Sequence, residues 1–276
     1  MRWRPLSALL AVACSLIVAG PVGAQVASGS KTLNSGPVSA TLSWKGGADI
    51  VATDPHLRID RGGATLLDSD LAKECQLCNG VGAPEEALHV TDLDADGEPE
   101  VLVDLYTGGA HCCATTLIWF FDGSRYRRRV LGLGDQGYRL KDLDADGQPE
   151  IVTADDRFAY AFTAFAYSWF PPLVYDWRGH VLVDVTRRFP SRIRADLAAI
   201  RKVLPRARRD GDPRGLVAAY AADEYLLGRG KAARAYLRGA LRRGDLRAIP
   251  AGDATWPSGR GYAPALLRFL HKAGYR

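Results

Sequence analysis

Asp92-Leu93-Asp94-Ala95-Asp96-Gly97-Glu98-Pro99-Glu100 is the stretch of sequence that decides the fold. It returns 50 residues later as Asp142-Leu143-Asp144-Ala145-Asp146-Gly147-Gln148-Pro149-Glu150. Acids at alternate positions, a glycine at the sixth and an acid at the ninth are typical of a calcium-binding turn, because Ca²⁺ takes about six to eight oxygen ligands. A fixed period also indicates a repeated structural unit. The sequence therefore predicts two copies of one unit, each built around an acidic loop.

Strands are expected on the far side of each acidic loop. β-branched residues follow both copies, as Val101-Leu102-Val103 and Ile151-Val152-Thr153, and such runs predict buried strands. An EF-hand is excluded, because it needs an acid at the twelfth position and helices on both sides. Val103 and Thr153 occupy that position here.

The acidic loops resemble those of the FG-GAP and VCBS repeats of integrin-like β-propellers, over the segment from Val90 to Phe170. The resemblance implies that Ca²⁺ is bound twice. The expected ligands are the side chains of Asp92, Asp94, Asp96 and Glu100 with the carbonyl of Glu98, and those of Asp142, Asp144, Asp146 and Glu150 with the carbonyl of Gln148. The family pattern has Asp at the ninth position of the loop. This sequence departs from it, with Glu at that position in both copies. The alternative is a metal-free Asp/Gly turn, which would leave several carboxylates close together without a neutralising cation.

The predicted fold class is mainly antiparallel β with an α-helical C-terminal region, which makes the chain α+β overall. Residues 25–188 are expected to form short strands, among them a hairpin around Arg61-Gly62-Gly63. A propeller needs about four to eight blades, so this region predicts an incomplete propeller-like stack. Residues 189–276 are expected to be helical, since apolar residues recur at helical spacing as Ile193, Leu197, Ile200 and Leu204.

Residues 1–24 are predicted to be a signal peptide, with Arg2 and Arg4 before an apolar run that ends at small residues. We therefore expect a secreted or periplasmic protein. No later apolar run approaches the roughly 20 residues of a membrane-spanning helix, so no span is expected after cleavage.

Four cysteines remain after that cleavage, Cys75, Cys78, Cys112 and Cys113. An even number in an exported chain predicts two disulfides. Bridges from the Cys75/Cys78 loop to the adjacent Cys112-Cys113 pair are favoured, because a bond between neighbouring residues is strained. A redox motif at Cys75 and Cys78, or a soft-metal site that adds His111 and Cys112, stays open as an alternative.

Charge divides the chain into two parts. Residues 25–190 hold 15 Lys/Arg against 24 Asp/Glu, whereas residues 191–276 hold 19 against 7. The two parts either attract each other or are simply solvated, or else the basic part contacts anionic wall polymer, lipid head groups or nucleic acid. Export argues against nucleic acid as a partner.

No enzyme motif of the G-x-S-x-G, H-E-x-x-H or P-loop type occurs. The favoured hypothesis is a non-catalytic calcium-binding module with binding or structural roles at the cell envelope, its partners an extracellular polysaccharide or an envelope protein. One rival is a secreted hydrolase acting on wall or extracellular polymer through Asp155, Asp156, His111 and an aromatic strip. The other is a thiol-disulfide redox protein. The strip is expected to lie on one face of two strand segments, and its residues are Phe158, Tyr160, Phe162, Phe165, Tyr167, Trp169 and Phe170.

Overall fold

The chain has an α+β fold, as predicted. A computed structural model describes residues 26–47, 51–74, 80–106, 108–111, 114–249 and 256–276. Within these ranges three antiparallel sheets are followed by four α-helices. The sheets in these ranges do not close into a barrel or a propeller, and the propeller-like stack stays a prediction.

The first sheet has the strand order β1-β2-β3-β4, and β5 pairs with the free part of β3. Its strands are β1 (Gly29–Ser35), β2 (Val38–Lys45), β3 (Val51–Arg61), β4 (Ala64–Asp70) and β5 (Gly80–Gly82). The predicted hairpin is confirmed, because Gly62 and Gly63 join β3 to β4 with φ angles of 56° and 84°. Positive φ at both central residues suits a tight two-residue turn.

The second and third sheets are built alike, each as four strands in chain order. The second contains β6 (Leu88–Thr91), β7 (Glu100–Tyr106), β8 (Ala114–Phe121) and β9 (Tyr126–Gly134). The third contains β10 (Arg139–Lys141), β11 (Glu150–Ala154), β12 (Pro172–Arg178) and β13 (Val181–Asp184). Each acidic loop is thus the turn of the first hairpin in its own sheet, with the ninth loop residue opening the second strand.

The second sheet is buried on both faces. Val101, Val103 and Leu105 of β7 belong to a core shared with the first sheet. Leu102, between them, belongs to a core shared with Trp177 of the third sheet. Successive side chains of a strand point to opposite faces, so this arrangement explains why β7 is an almost continuous apolar run.

The helices begin directly after the third sheet. They are α1 (Pro190–Asp210), α2 (Arg214–Leu226), α3 (Gly230–Arg243) and α4 (Gly259–Lys272). The residues predicted at helical spacing on α1 are all buried. α2 packs against both α1 and α3 and is buried along almost its whole length. None of the helices in the described ranges is both long enough and apolar enough to span a membrane.

The aromatic strip does not form strands, and that prediction is wrong. Residues 155–171 form turns and two short 3-10 helices, Asp156–Phe158 and Phe165–Tyr167. The Asp155 carboxylate caps the first of these by accepting a hydrogen bond from the Arg157 amide, and Tyr160 has a φ of 56°. Both features are incompatible with extended backbone.

Several predictions fall outside the described residues. The signal segment 1–24 is one of them, and the cysteines are the other: Cys75, Cys78, Cys112 and Cys113. The disulfide, redox and soft-metal readings therefore stay predictions.

A carboxyl group is buried between the helices. Asp223 of α2 is fully buried, and neither of its oxygens accepts a hydrogen bond from a donor in the described part of the chain. Burial, then the neighbouring carboxylates of Asp196 and Glu224, raise the pKa of Asp223 to about 10. Asp223 is therefore protonated at neutral pH, and its proton can bridge to Asp196.

Replacing Asp223 by Asn should stabilise the protein at alkaline pH. The folded-state pKa lies above the ordinary value of 3.8. The contribution of Asp223 to stability is therefore complete below the unfolded pKa, and it is lost as pH rises towards about 10. We expect the melting temperature of Asp223→Asn to exceed that of the wild type by a margin that grows from about pH 5 to about pH 9. Asp210→Asn, at an exposed position of α1, is the matched control. A margin independent of pH would contradict the buried-proton interpretation.

Candidate metal centre

The acidic loops are turns with matching backbone conformations. Ala95 and Gly97 have φ angles of 56° and 87°, and Ala145 and Gly147 have 62° and 88°. Ala95 and Ala145 lie in the left-handed region that L residues can enter, whereas the larger φ of Gly97 and Gly147 is one that favours glycine. The same turn is therefore formed in both sheets, as the repeated sequence predicts.

Carboxylates hold the first loop in shape by accepting backbone hydrogen bonds. Asp92 accepts from the amides of Asp96 and Gly97, at 3.2 and 2.8 Å. Asp96 accepts from the amide of Glu98 at 2.8 Å. These bonds bend the loop inwards and bring its acids towards one another.

Glu100 anchors the first loop to the rest of the molecule. Its side chain is only 2% exposed, and its two carboxylate oxygens accept from different partners. One oxygen accepts from the amide of Leu93 at 3.0 Å, and the other from the indole nitrogen of Trp177, on β12 of the third sheet, at 2.9 Å. Burial raises the pKa of Glu100 to about 7. The ninth loop position thus connects the second sheet to the third.

Three acids of the first loop converge. One carboxylate oxygen each of Asp92, Asp94 and Glu100 lie within 4.8 Å of one another. The Oδ1 atom of Asp94 is buried and has no hydrogen-bond partner among the described residues. Burial, followed by the carboxylates of Asp96 and Asp92, raises the pKa of Asp94. A buried anionic oxygen without a donor fits a hard divalent cation, which is bound by oxygen ligands.

The other two predicted residues of the first loop lie outside this group. The Asp96 side chain is used in the turn. The Glu98 side chain forms an ion pair with Arg61 of β3, whose Nε lies 3.1 Å from Oε2. The expected contribution of the Glu98 carbonyl oxygen stays a prediction.

The second loop brings together a different set of acids, and it is more exposed. Oxygens of Asp142, Asp144 and Asp146 lie within 4.8 Å of one another, and all three residues are exposed. Glu150 is buried and accepts from the amide of Leu143 at 2.7 Å, as Glu100 does from Leu93. The backbone amide of Gln148 donates to Asp146 at 2.9 Å.

An arginine from outside the repeat reaches the second loop. Arg188 lies between β13 and α1, and one of its guanidinium nitrogens is 2.7 Å from an oxygen of Asp144. Its other terminal nitrogen is 2.7 Å from the carboxylate of Asp176 on β12. The second loop therefore already has a positive partner within the chain.

Sequence reasoning missed the residues that connect the loops to their surroundings. Trp177, Arg61 and Arg188 lie far from the acids they contact in the sequence, and no spacing rule connects them. The sequence offers one chemical signal. If the glutamate at the ninth loop position is buried beside its strand, it needs hydrogen-bond donors, and one of them can come from a distant part of the chain.

The residues suggested for a hydrolase have other contacts. Asp155 is buried, forms an ion pair with Arg157 at 2.7 Å and accepts from the hydroxyl of Tyr275 at 2.7 Å. Asp156 accepts from the amide of Asp135 at 3.2 Å. The ring of His111 stacks on Phe165. The contacts of Asp155 with Arg157 and Tyr275 anchor its turn to the C-terminal segment.

Comparison with known proteins gives two matches. The model of the sll0997 C-terminal domain family matches residues 193–274. A probable thylakoid lumen protein, sll0997, from Synechocystis sp. (strain ATCC 27184 / PCC 6803 / Kazusa) is 34% identical over 152 residues. The matched segment covers 52% of this chain and 45% of that relative, and so spans less than half the relative's length. No solved structure matches the chain.

These matches correct the family suggested by the acidic loops. The assignment to FG-GAP or VCBS repeats is wrong, because the family model that matches is the sll0997 C-terminal domain and the matched relative is a thylakoid lumen protein. The physical reason is that the Asp-x-Asp-x-Asp-Gly pattern reports only a local turn and its carboxylates. Such a turn can be placed on many different folds.

The hydrogen bond between Trp177 and Glu100 should contribute measurably to stability. Trp177→Phe removes the indole donor and leaves a buried carboxylate oxygen unpaired, which costs about 1–3 kcal/mol. Trp119→Phe is the matched control, because Trp119 is also buried but its indole nitrogen has no hydrogen-bond partner in the described ranges. Urea unfolding should show a larger loss for Trp177→Phe. Equal losses for the two variants would mean that the hydrogen bond contributes nothing beyond packing.

Proposed function

We propose that this chain is a non-catalytic, calcium-stabilised module that works in an exported compartment, such as a periplasm or a lumen. The observation that carries the proposal is the buried, unpartnered Oδ1 of Asp94 beside the carboxylates of Asp92 and Glu100. The name of the matched relative, a probable thylakoid lumen protein, supports the compartment. The predicted signal segment supports it independently.

Electrostatics favours a cation in the first loop. Several carboxylates are gathered around a partly buried point, where their mutual repulsion is less screened than in water. Within the described residues, neither Asp92 nor Asp94 forms an ion pair with Lys or Arg, and His180 is the one basic side chain that acts electrostatically on Asp94. Asp92, Asp94 and Glu100 would therefore hold the ion, with Asp96 and the carbonyl of Glu98 as further candidate ligands. A bound Ca²⁺ would supply the missing positive charge.

Calcium suits these ligands better than magnesium. Ca²⁺ accepts six to eight oxygens in irregular geometry at about 2.3–2.6 Å, whereas Mg²⁺ requires a near-octahedral set at about 2.0–2.1 Å. A turn that mixes carboxylates of different length with backbone oxygens gives the irregular arrangement.

The role of the ion would be structural. Glu100 contacts the loop through Leu93 and the third sheet through Trp177. An ion held by Asp92, Asp94 and Glu100 would therefore fix the hairpin of the second sheet against the third. We infer that the module presents a rigid surface to an envelope protein or an extracellular polysaccharide.

The two loops should differ in affinity. In the first loop, Arg61 pairs with Glu98 and not with the three converging acids, whereas in the second loop Arg188 pairs directly with Asp144, one of the converging acids. A divalent ion must displace this guanidinium, so the second loop should bind more weakly.

Calcium should stabilise the protein through the first loop. Dissociation constants of about 10⁻⁴ to 10⁻³ M are typical of extracellular calcium-binding modules. Free calcium at ten times the dissociation constant raises the free energy of unfolding by about 1.4 kcal/mol per site. Asp94→Asn should abolish most of the resulting rise in melting temperature. Glu85→Gln, an exposed acid outside both loops, is the control with the same charge change. If wild-type melting were unaffected by millimolar calcium or by chelator, the proposal would be wrong.

Removing Arg188 should strengthen calcium binding by the second loop. In isothermal titration with calcium, Arg188→Gln should show a second binding event at least several times tighter than in the wild type, because Asp144 loses its internal partner. Arg178→Gln is the control, since Arg178 contacts Asp176 but makes no ion pair with Asp144. An unchanged second event in Arg188→Gln would show that this arginine does not compete with the ion.

A further inference from the structure

Among the described residues of the helical region, the exposed charged side chains are almost all cationic. Of the Lys and Arg residues among 191–276, Arg214 is buried, Arg192 is half-buried and all the others are exposed. The acids are placed in the opposite way. Within the described part of this region, Asp210 at the end of α1 is the one exposed acid, Asp196 is half-buried, and Asp212, Asp223, Glu224 and Asp245 are buried. The excess of Lys and Arg over Asp and Glu in residues 191–276 is therefore even larger among the exposed side chains than in the sequence.

The buried acids are also neutralised from within. Asp212 pairs with Arg214 at 2.6 Å. Asp245 accepts from both Arg208 and Arg243, at 2.9 and 3.0 Å. Asp245 offsets one of the two charges of Arg208 and Arg243, which stay partly exposed, so a net positive charge remains at the surface.

The positive charge is densest where two helices end together. Because Arg208 of α1 and Arg243 of α3 share Asp245, the C-terminal ends of α1 and α3 lie side by side. Six exposed arginines lie in the last turns of these two helices or just after α3, and we call them the basic end: Arg206, Arg208, Arg209, Arg242, Arg243 and Arg247. The negative ends of the helix dipoles favour cations there. A cavity of about 520 Å³ opens between Arg208, Arg243 and Arg247.

Apolar side chains are exposed among these arginines. Val203 on α1, Leu241 on α3 and Ile249 beyond α3 are 36%, 39% and 37% exposed. Each lies within three positions of an arginine of the basic end. Because exposed aliphatic side chains lie close in sequence to these arginines, this part of the protein suits a binding partner that offers both negative charge and an apolar layer.

We propose that the basic end docks on a bilayer surface that contains anionic lipids. Arginines bind the head-group phosphates, and the three aliphatic side chains enter the boundary between head groups and acyl chains. A soluble polyanion offers the charge but not the apolar layer, which is why the lipid surface is favoured. The chain would then bind peripherally, with its sheets directed away from the membrane.

Vesicle flotation tests this proposal with residues 25–276, the form that the predicted signal cleavage leaves. The probes are vesicles of phosphatidylcholine mixed with phosphatidylglycerol, and vesicles of phosphatidylcholine alone. We expect binding to the mixed vesicles only, weakening as salt rises. No binding to the mixed vesicles, or equal binding to both kinds, would overturn the proposal.

Two triple variants separate the basic end from net charge. Arg206→Gln, Arg209→Gln and Arg242→Gln together should weaken vesicle binding about tenfold or more. The control triple is Arg194→Gln, Lys231→Gln and Lys272→Gln, in which the changes on α1 and α3 lie roughly 17 Å further along the helices. None of these six side chains makes a hydrogen bond or an ion pair within the described ranges, so both variants should fold. Equal losses in the two triples would overturn the assignment to the basic end.

A third variant distinguishes lipid from polymer. Leu241→Ser with Ile249→Ser should weaken binding to mixed vesicles several-fold and leave binding to heparin unchanged, because heparin has no apolar layer. A chain that binds heparin but not the mixed vesicles would point to an anionic polymer and would overturn the lipid assignment.

Discussion

A buried carboxylate is the constraint on which the β region depends. Glu100 opens β7 inside the core and must find donors there, because an unpaired buried charge is costly. It finds one in the loop that precedes it, at Leu93, and one in the third sheet, at Trp177. The position that completes the acidic loop in the sequence therefore also joins two sheets in space. A cation held by the neighbouring acids would stabilise this junction. Glu100 is therefore both a proposed calcium ligand and the contact between two sheets.

Duplication of the loop did not duplicate its surroundings. Glu150 repeats the backbone contact of Glu100, to Leu143 in place of Leu93. The remaining acids of the second loop are exposed, and Arg188 reaches Asp144 from the junction between β13 and α1. The first loop is thus tied to a neighbouring sheet, and the second to the start of the helical region. Two nearly identical sequences can therefore have different affinities for one ion.

The parts of this molecule that could be predicted are those set by local sequence. The turns follow from glycine at the sixth loop position, the strands after each loop from β-branched residues, and α1 from the spacing of Ile193, Leu197, Ile200 and Leu204. The prediction for the aromatic strip failed because two short 3-10 helices and a positive φ at Tyr160 interrupt the extended backbone that its alternation requires. The contacts of Trp177 and Arg188 could not be read from the sequence, because they depend on how separate sheets and helices meet. The family assignment failed for a related reason, since a short turn carries little information about the whole chain.

The most direct test of the central claim is a crystal structure of the protein grown with millimolar calcium, with anomalous scattering used to identify the ion. We expect a peak in the first loop at about 2.3–2.6 Å from oxygens of Asp92, Asp94 and Glu100. Glu100 should keep its contact with Trp177 in that structure. A first loop that contains only water under these conditions, with the Asp94 oxygen still lacking a cation, would contradict the account.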